Sequence, residues 1–252
     1  MSQSAENAKQ EEGGLWETVK VVLQALALAL VVRTILFQPF NIPSGSMMST
    51  LLVGDYIFVN KFSYGYSKYS VPFSPDLFDG RIWSGTPERG DVAVFRLPTN
   101  TNLDYVKRVI GLPGDKIQVK EGALFINGEA VKREPAGKFT GDSYIGASAT
   151  GRSADVYVET LPNGVSYKTL DLTPFADTDN TREFVVPQGH YFMMGDNRDN
   201  SADSRTRQVG FVPLENFIGK ASVIFFSIGG DASPWQVWKW ANLRPSRFFT
   251  GL

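Results

Sequence analysis

The sequence predicts a mainly β chain, folded as antiparallel sheets and carried behind one N-terminal apolar helix. Three observations predict it. Aromatic residues are 13% of the chain, with 24 Gly and 14 Pro, a composition that favours short strands and many turns over a helical bundle. From Asp55 onward, short alternating runs of β-branched and aromatic residues are separated by Gly, Pro and Asn-Gly turn signals. Only the stretch Leu15 to Phe37 stays apolar for the length of a long helix.

Taken in order, residues 1–14 are polar and of mixed charge and read as a disordered tail. Residues 15–37 read as a transmembrane helix. Between Val21 and Val32 the one polar residue is Gln24, and with Trp16 and Phe37 at the interfaces the run reaches the roughly 20 residues a bilayer needs. A cleaved signal peptide, a buried core helix and an interfacial helix compete with this reading. Glu11, Glu12 and Glu17 before the run stand where a signal peptide would be basic, and no small-residue cleavage site follows.

Strands are expected at Asp55 to Lys61, Gly90 to Leu97, around Lys107, at Lys116 to Lys120, Ala123 to Ile126 and Glu129 to Lys132. Residues 62–88, rich in Tyr, Ser, Pro and Gly, read as a long loop. Asn127-Gly128 and Asn163-Gly164 signal hairpins. Residues 133–182 read as a subsidiary region of β-hairpin and loops, and the main β-domain resumes at Phe184 to Val186, His190 to Met194 and Ala221 to Ser227. The tail carries Trp235, Trp238, Trp240, Phe248 and Phe249 among Lys239, Arg244 and Arg247. That pattern suits either an interface-seeking segment or rings packed on the domain.

A net charge of −1 gives no electrostatic case for nucleic-acid binding. The absence of Cys excludes disulfides and thiolate nucleophiles, and one His leaves only oxygen-rich metal sites open. The reactive candidates are hydroxyls. In Pro43-Ser44-Gly45-Ser46-Met47-Met48 an extended backbone would put Ser44 and Ser46 on one face, though an ordinary Ser-Gly turn has the same composition. A nucleophilic serine needs a base. His190 sits in no triad context, and no Ser-x-x-Lys occurs. Along Asp104 to Ile110, period two places Tyr105, Lys107 and Val109 on one face and Asp104, Val106, Arg108 and Ile110 on the other. A lysine on an inward face would lose its charge readily and could serve as the base, whereas an edge-strand lysine would be solvated.

Four ordered motifs carry a resemblance. Ser44-Gly-Ser-Met-Met48, Gly90-Asp-Val-Ala-Val-Phe95, Tyr105-Val-Lys-Arg108 with Gly111-Leu-Pro-Gly-Asp115, and Gly195-Asp-Asn-Arg-Asp-Asn-Ser-Ala-Asp-Ser-Arg205 resemble the boxes of bacterial type I signal peptidases, over roughly residues 33–120 and 185–227. The resemblance implies a catalytic β-domain of residues 38–132 and 183–252, interrupted by a variable insert at 133–182. It implies Ser46 as nucleophile and Lys107 as general base. Ser44, with the backbone N–H of Ser46, would form the oxyanion hole. Ser201 would hydrogen-bond and orient the lysine, Asp203 and Arg205 would form a supporting ion pair, and Asp196 would pair with Arg108. Phe40, Ile42, Met47, Leu51, Tyr105 and Val106 match positions lining the substrate pocket. The implied reaction is removal of signal peptides after Ala-x-Ala, without metal or cofactor. The implied partners are secretory preproteins, membrane lipid and the export translocon, and the implied location is the inner membrane, with the catalytic domain on its outer, periplasmic face. One position departs: the family usually has Pro where this chain has Ser49. Two other readings compete. A peptide-binding β-domain without activity need not keep Lys107, and a self-cleaving repressor with this chemistry would begin with a DNA-binding helix pair rather than an apolar run.

Overall fold

A computed structural model describes the chain apart from residues 1, 72–73, 75–77, 84, 140–152, 174, 230–231 and 233–234, with side chains from Gly14 onward. It begins with helix α1, Ser2–Ile35. The disordered tail expected at 1–14 is therefore helical from Ser2. Ala5, Glu6, Ala8, Lys9, Gln10, Glu11 and Glu12 are strong helix formers and extend the apolar helix backward. The apolar part, Gly14–Ile35, is 22 residues with a mean hydropathy of 1.8, and none of it is buried by the rest of the chain. At 1.5 Å per residue that is about 33 Å, the thickness of a bilayer core. The helix stops two residues short of the expected Phe37, because the chain there enters a strand.

The strands follow in order: β1 Phe37–Asn41, β2 Asp55–Asn60, β3 Val92–Leu97, β4 Asn100–Gly111, β5 Lys116–Lys120, β6 Ala123–Ile126, β7 Glu129–Ala130, β8 Lys132–Phe139, β9 Ala154–Thr160, β10 Ser166–Asp171, β11 Phe184–Val185, β12 His190–Met194, β13 Val212–Pro213, β14 Phe217–Ser227 and β15 Thr250–Gly251. The main sheet runs β1-β2-β14-β3-β4-β12-β13, with β15 on β14. Two smaller sheets run β11-β5-β6-β7 and β10-β9-β8. Every pairing among the named strands is antiparallel. The expected strand Glu129 to Lys132 is split between two sheets: β7 pairs with β6, whereas β8, from Lys132, pairs with β9. Of residues 62–88, Lys68–Ser70 form a short 3-10 turn, and part of the loop lies outside the described residues. Residues 140–152 of the expected insert also lie outside them.

The main sheet curls. β1 and β4 are far apart in strand order, yet Phe40 and Val106 pack on one cluster with Ile42, Met47, Leu51 and Val94. A second cluster gathers Tyr64, Phe95, Tyr191 and Phe217, whose rings meet edge-on or tilted at 5.1–6.0 Å. Burying such rings contributes about 2 kcal/mol each and fixes the curl.

Between β1 and β2 the chain makes a loop of 13 residues, Ile42 to Gly54, closed by Ile42 N–H to Asp55 O at 2.9 Å and Gly54 N–H to Ile42 O at 2.9 Å. Asp55 is buried and ties this closure to the tail: Arg247 Nη2 donates to its Oδ2 at 2.6 Å and Ser227 Oγ to its Oδ1 at 2.7 Å. Inside the loop Ser49 has φ +89°, a left-handed backbone closed to proline, and its Oγ donates to Lys168 O of β10 at 2.6 Å. The departure from the family's Pro is thus accompanied by a tie to the small sheet. Restoring the Pro, as Ser49→Pro, is expected to lower stability by more than about 1 kcal/mol, while Ser49→Gly, which keeps this backbone, stays within about 1 kcal/mol of the parent. Urea unfolding of the detergent-solubilised chain measures both.

Candidate active site

The loop places Ser46 in a short 3-10 turn, Gly45–Met47, whose side chains Met47 and Met48 are buried beneath it. Burying Met47 and Met48 leaves the turn little freedom. Lys107 comes from the middle of β4, paired across from Ala93 of β3. Its side chain is 3% exposed and Ser46 is 9% exposed. The Lys107 Nζ lies 2.7 Å from Ser46 Oγ and 3.0 Å from Val106 O, with the Tyr105 ring centroid 5.2 Å away. Burial lowers the lysine pKa from 10.5 to about 8, against the opposing pull of the Asp203 and Asp196 carboxylates. At pH 7 about one amine in ten would then be neutral and able to accept a proton. Ser44 Oγ is 3.4 Å from Ser46 Oγ.

Behind this pair stand two buried ion pairs. Arg108, on the opposite side of β4, grips Asp196 with Nε to Oδ1 at 2.8 Å and Nη2 to Oδ2 at 2.7 Å. Thr50 Oγ1 also donates to Asp196 Oδ2, at 2.5 Å. Arg205 grips Asp203 with Nε to Oδ1 at 2.9 Å and Nη2 to Oδ2 at 2.8 Å, and Asp203 Oδ2 accepts from Gly195 N–H at 3.0 Å. Asn197 reaches the Ser46 turn directly, from its N–H to Ser46 O and from Nδ2 to Gly45 O, both at 3.1 Å. The approach needs a glycine at 195: a Cβ there would lie 2.6 Å from Ser46 O.

Ser201 departs from its expected role. Its hydroxyl is buried without a hydrogen-bond partner, so the expected bond to Lys107 is not formed. The side chain instead packs against the Gly195 backbone.

A groove of about 460 Å³ opens onto Ser46 and Lys107, walled by Phe40, Ile42, Ser44, Met47, Tyr105 and Val106. Leu51 does not reach it. It is fully buried in the core below, since the turn at Met47 and Met48 directs the chain inward before Leu51. Asp104, Asn200 and Ala202 also line the groove and escaped the sequence reading. Both faces of β4 contribute because the groove runs along the strand's edge: β12 pairs with β4 only from Arg108 to Gly111. His190 lies apart, its Nδ1 2.9 Å from Gln188 O within its own turn. Among the described residues no group of three or more His, Cys, Asp or Glu is placed to hold a metal ion.

Comparison with known proteins bears on this geometry. The model of the family described as signal peptidase, peptidase S26, matches residues 15–226. A signal peptidase I of Rickettsia typhi is 46% identical over 210 residues, covering 80% of this chain and 76% of the relative. One from Rickettsia akari is 44% identical over 234 residues, covering 90% and 82%. A crystal structure of a signal peptidase I from Enterococcus faecalis is 26% identical, covering 54% of this chain and 97% of its own, with a TM-score of 0.32. With the family match reaching from the apolar helix through the Gly195 box and into β14, the chain belongs to the signal peptidase family, peptidase S26, serine peptidases that remove signal peptides.

Proposed function

We propose that the chain is a membrane-anchored endopeptidase that releases exported preproteins by cutting after small residues, through a Ser46–Lys107 dyad. The observation that carries this reading is the 2.7 Å separation of Lys107 Nζ and Ser46 Oγ, with the lysine 3% exposed. Two strand edges support the binding mode. Among the described residues β1 pairs only with β2, and β12 pairs with β4 only from Arg108 to Gly111, so an extended peptide can add to strand edges beside the dyad.

In this mechanism the neutral Lys107 amine takes the Ser46 proton as Oγ attacks the scissile carbonyl carbon. The oxyanion is met by Ser44 Oγ–H and the Ser46 N–H. The Lys107 ammonium then gives its proton to the leaving amine, the C–N bond breaks, and the signal peptide remains as an ester on Ser46. Lys107, neutral again, deprotonates a water that attacks the ester; Ser46 recovers its proton and the signal peptide leaves as a carboxylate. Ile42, Met47 and Val106 leave shallow apolar space near Ser46, which admits Ala and excludes larger side chains.

The unburied apolar helix is assigned to the membrane, the N-terminus to the cytoplasm and the β-domain to the periplasmic face. Exposed Trp235, Trp238 and Phe249 suit contact with lipid, and supply from the export translocon would present preproteins to the groove. A peptide-binding domain without activity is the alternative, and it gives no reason for a buried, destabilised lysine on a serine.

Ser46→Ala and Lys107→Ala are each expected to lower precursor cleavage in detergent by at least roughly 10³-fold while leaving peptide binding in place. Undiminished cleavage by either variant would refute the dyad. Activity also has a signed pH dependence. Because the base must be neutral and its pKa lies near 8, kcat/KM is expected to rise about tenfold per pH unit below 8 and level off above it. A stopped assay from pH 5.5 to 9.5 reads this directly, and a flat profile contradicts a lysine base.

A further inference from the structure

Outside the groove, a buried charge cluster lies where β9 and β10 meet the Gly195 box. Arg198 is 5% exposed and Glu159 is 1% exposed. Arg198 holds the Glu159 carboxylate with both ends of its guanidinium, Nη1 to Oε1 at 2.8 Å and Nη2 to Oε2. Tyr167 of β10 donates its hydroxyl to Glu159 Oε2 at 2.9 Å and accepts from Arg198 Nη2 at 3.1 Å. The Tyr167 ring lies under the Arg108 guanidinium, 4.2 Å from its centroid. The backbone joins at the same place: Leu170 N–H donates to Asp196 O at 2.8 Å, and Leu172 N–H to Asp199 Oδ2 at 2.6 Å.

Three consecutive residues thus divide the work. Asp196 takes Arg108, Asn197 takes the carbonyls of Gly45 and Ser46, and Arg198 takes Glu159. With its neighbours anchored on both sides, Asn197 has little freedom to move relative to the small sheet. A buried ion pair is a weak source of stability, since apolar residues of like volume often serve as well. It is a strong source of direction, because a two-point guanidinium–carboxylate contact fixes angle as well as distance.

We propose that the β8–β10 sheet is a positioning element for the nucleophile, with Glu159 and Tyr167 holding Arg198 so that Asn197 keeps Ser46 aligned with Lys107. Neither residue touches the groove, so both act through others. The proposal rests on the reading of Ser46 as nucleophile.

The test compares kcat, KM and thermal unfolding of the full chain in detergent, with a secretory preprotein as substrate. Glu159→Gln is expected to lower kcat at least tenfold with KM within about twofold, because the substrate-binding edges of β1 and β4 are untouched. A paired apolar replacement, Glu159→Leu with Arg198→Met, is expected to recover the parent Tm yet keep the tenfold deficit in kcat. Tyr167→Phe keeps the ring and guards against misfolding; at least a threefold loss of kcat at unchanged Tm is expected. Parent kcat in Glu159→Gln, in Tyr167→Phe or in the refolded apolar pair overturns the proposal, as does a change confined to KM. Ser46→Ala is run alongside. If it still cleaves, the dyad reading fails; if it is inert while Glu159→Gln runs at full rate, only the positioning role fails.

Discussion

The structure turns on keeping one amine out of water. Moving the Lys107 pKa from 10.5 to about 8 corresponds to about 3 kcal/mol of disfavoured charge. That displacement is vulnerable, because two carboxylates, Asp196 and Asp203, lie close enough to pull it back. Each is gripped bidentately by a guanidinium, Arg108 and Arg205 respectively. The arginines give the carboxylates a nearer partner than the amine, and satisfy oxygen atoms that would otherwise seek a proton or an ammonium. The ion pairs behind the site thus bear on how readily the lysine gives up its proton.

The same region links the apolar helix to the Ser46 loop. Ser46 lies 11 residues beyond the helix end at Ile35, so the chain between them spans at most about 38 Å. The junction is also held. Lys61 Nζ donates to Arg33 O at 2.9 Å and Tyr66 Oη to Ile35 O at 2.5 Å, capping carbonyls that the helix end leaves without partners. On the proposed reading, the helix sets the height of the groove above the lipid as well as retaining the enzyme there.

How much was legible in the sequence depended on whether a residue's environment was local. Lys107 stood out because period two placed an amine on an apolar face, whereas Ser46, in a stretch that an ordinary Ser-Gly turn would also explain, was singled out by the family resemblance. The strands β5 and β6 and the Asn127-Gly128 turn were local patterns and lie where the alternation put them. Glu159 was not legible. Asp155-Val-Tyr-Val-Glu-Thr160 puts it on the polar, outward face, yet it is 1% exposed, because that face meets Arg198 from 39 residues away. Tyr167 was hidden for the same reason. Ser201 and Leu51 went wrong differently. Their expected roles came from matched letters, whereas their side-chain directions depend on how this loop and this box pack.

An extended peptide added to β1 or β4 would bond through its main chain, and main-chain bonds are blind to sequence. Affinity from the strand edges cannot by itself decide where a preprotein is cut. On the proposed reading, selection falls to the few side chains at the dyad, where Ile42, Met47 and Val106 line the groove beside Ser46. It falls also to conformation, because a segment already paired in a folded domain has no free backbone groups to offer. On the proposed reading, a site built from two open edges and one apolar groove discriminates twice, once for extended chain and once for small side chains. On the proposed reading, the Ser46–Lys107 contact turns that discrimination into position along the peptide, since only a carbonyl brought to Ser46 Oγ is attacked.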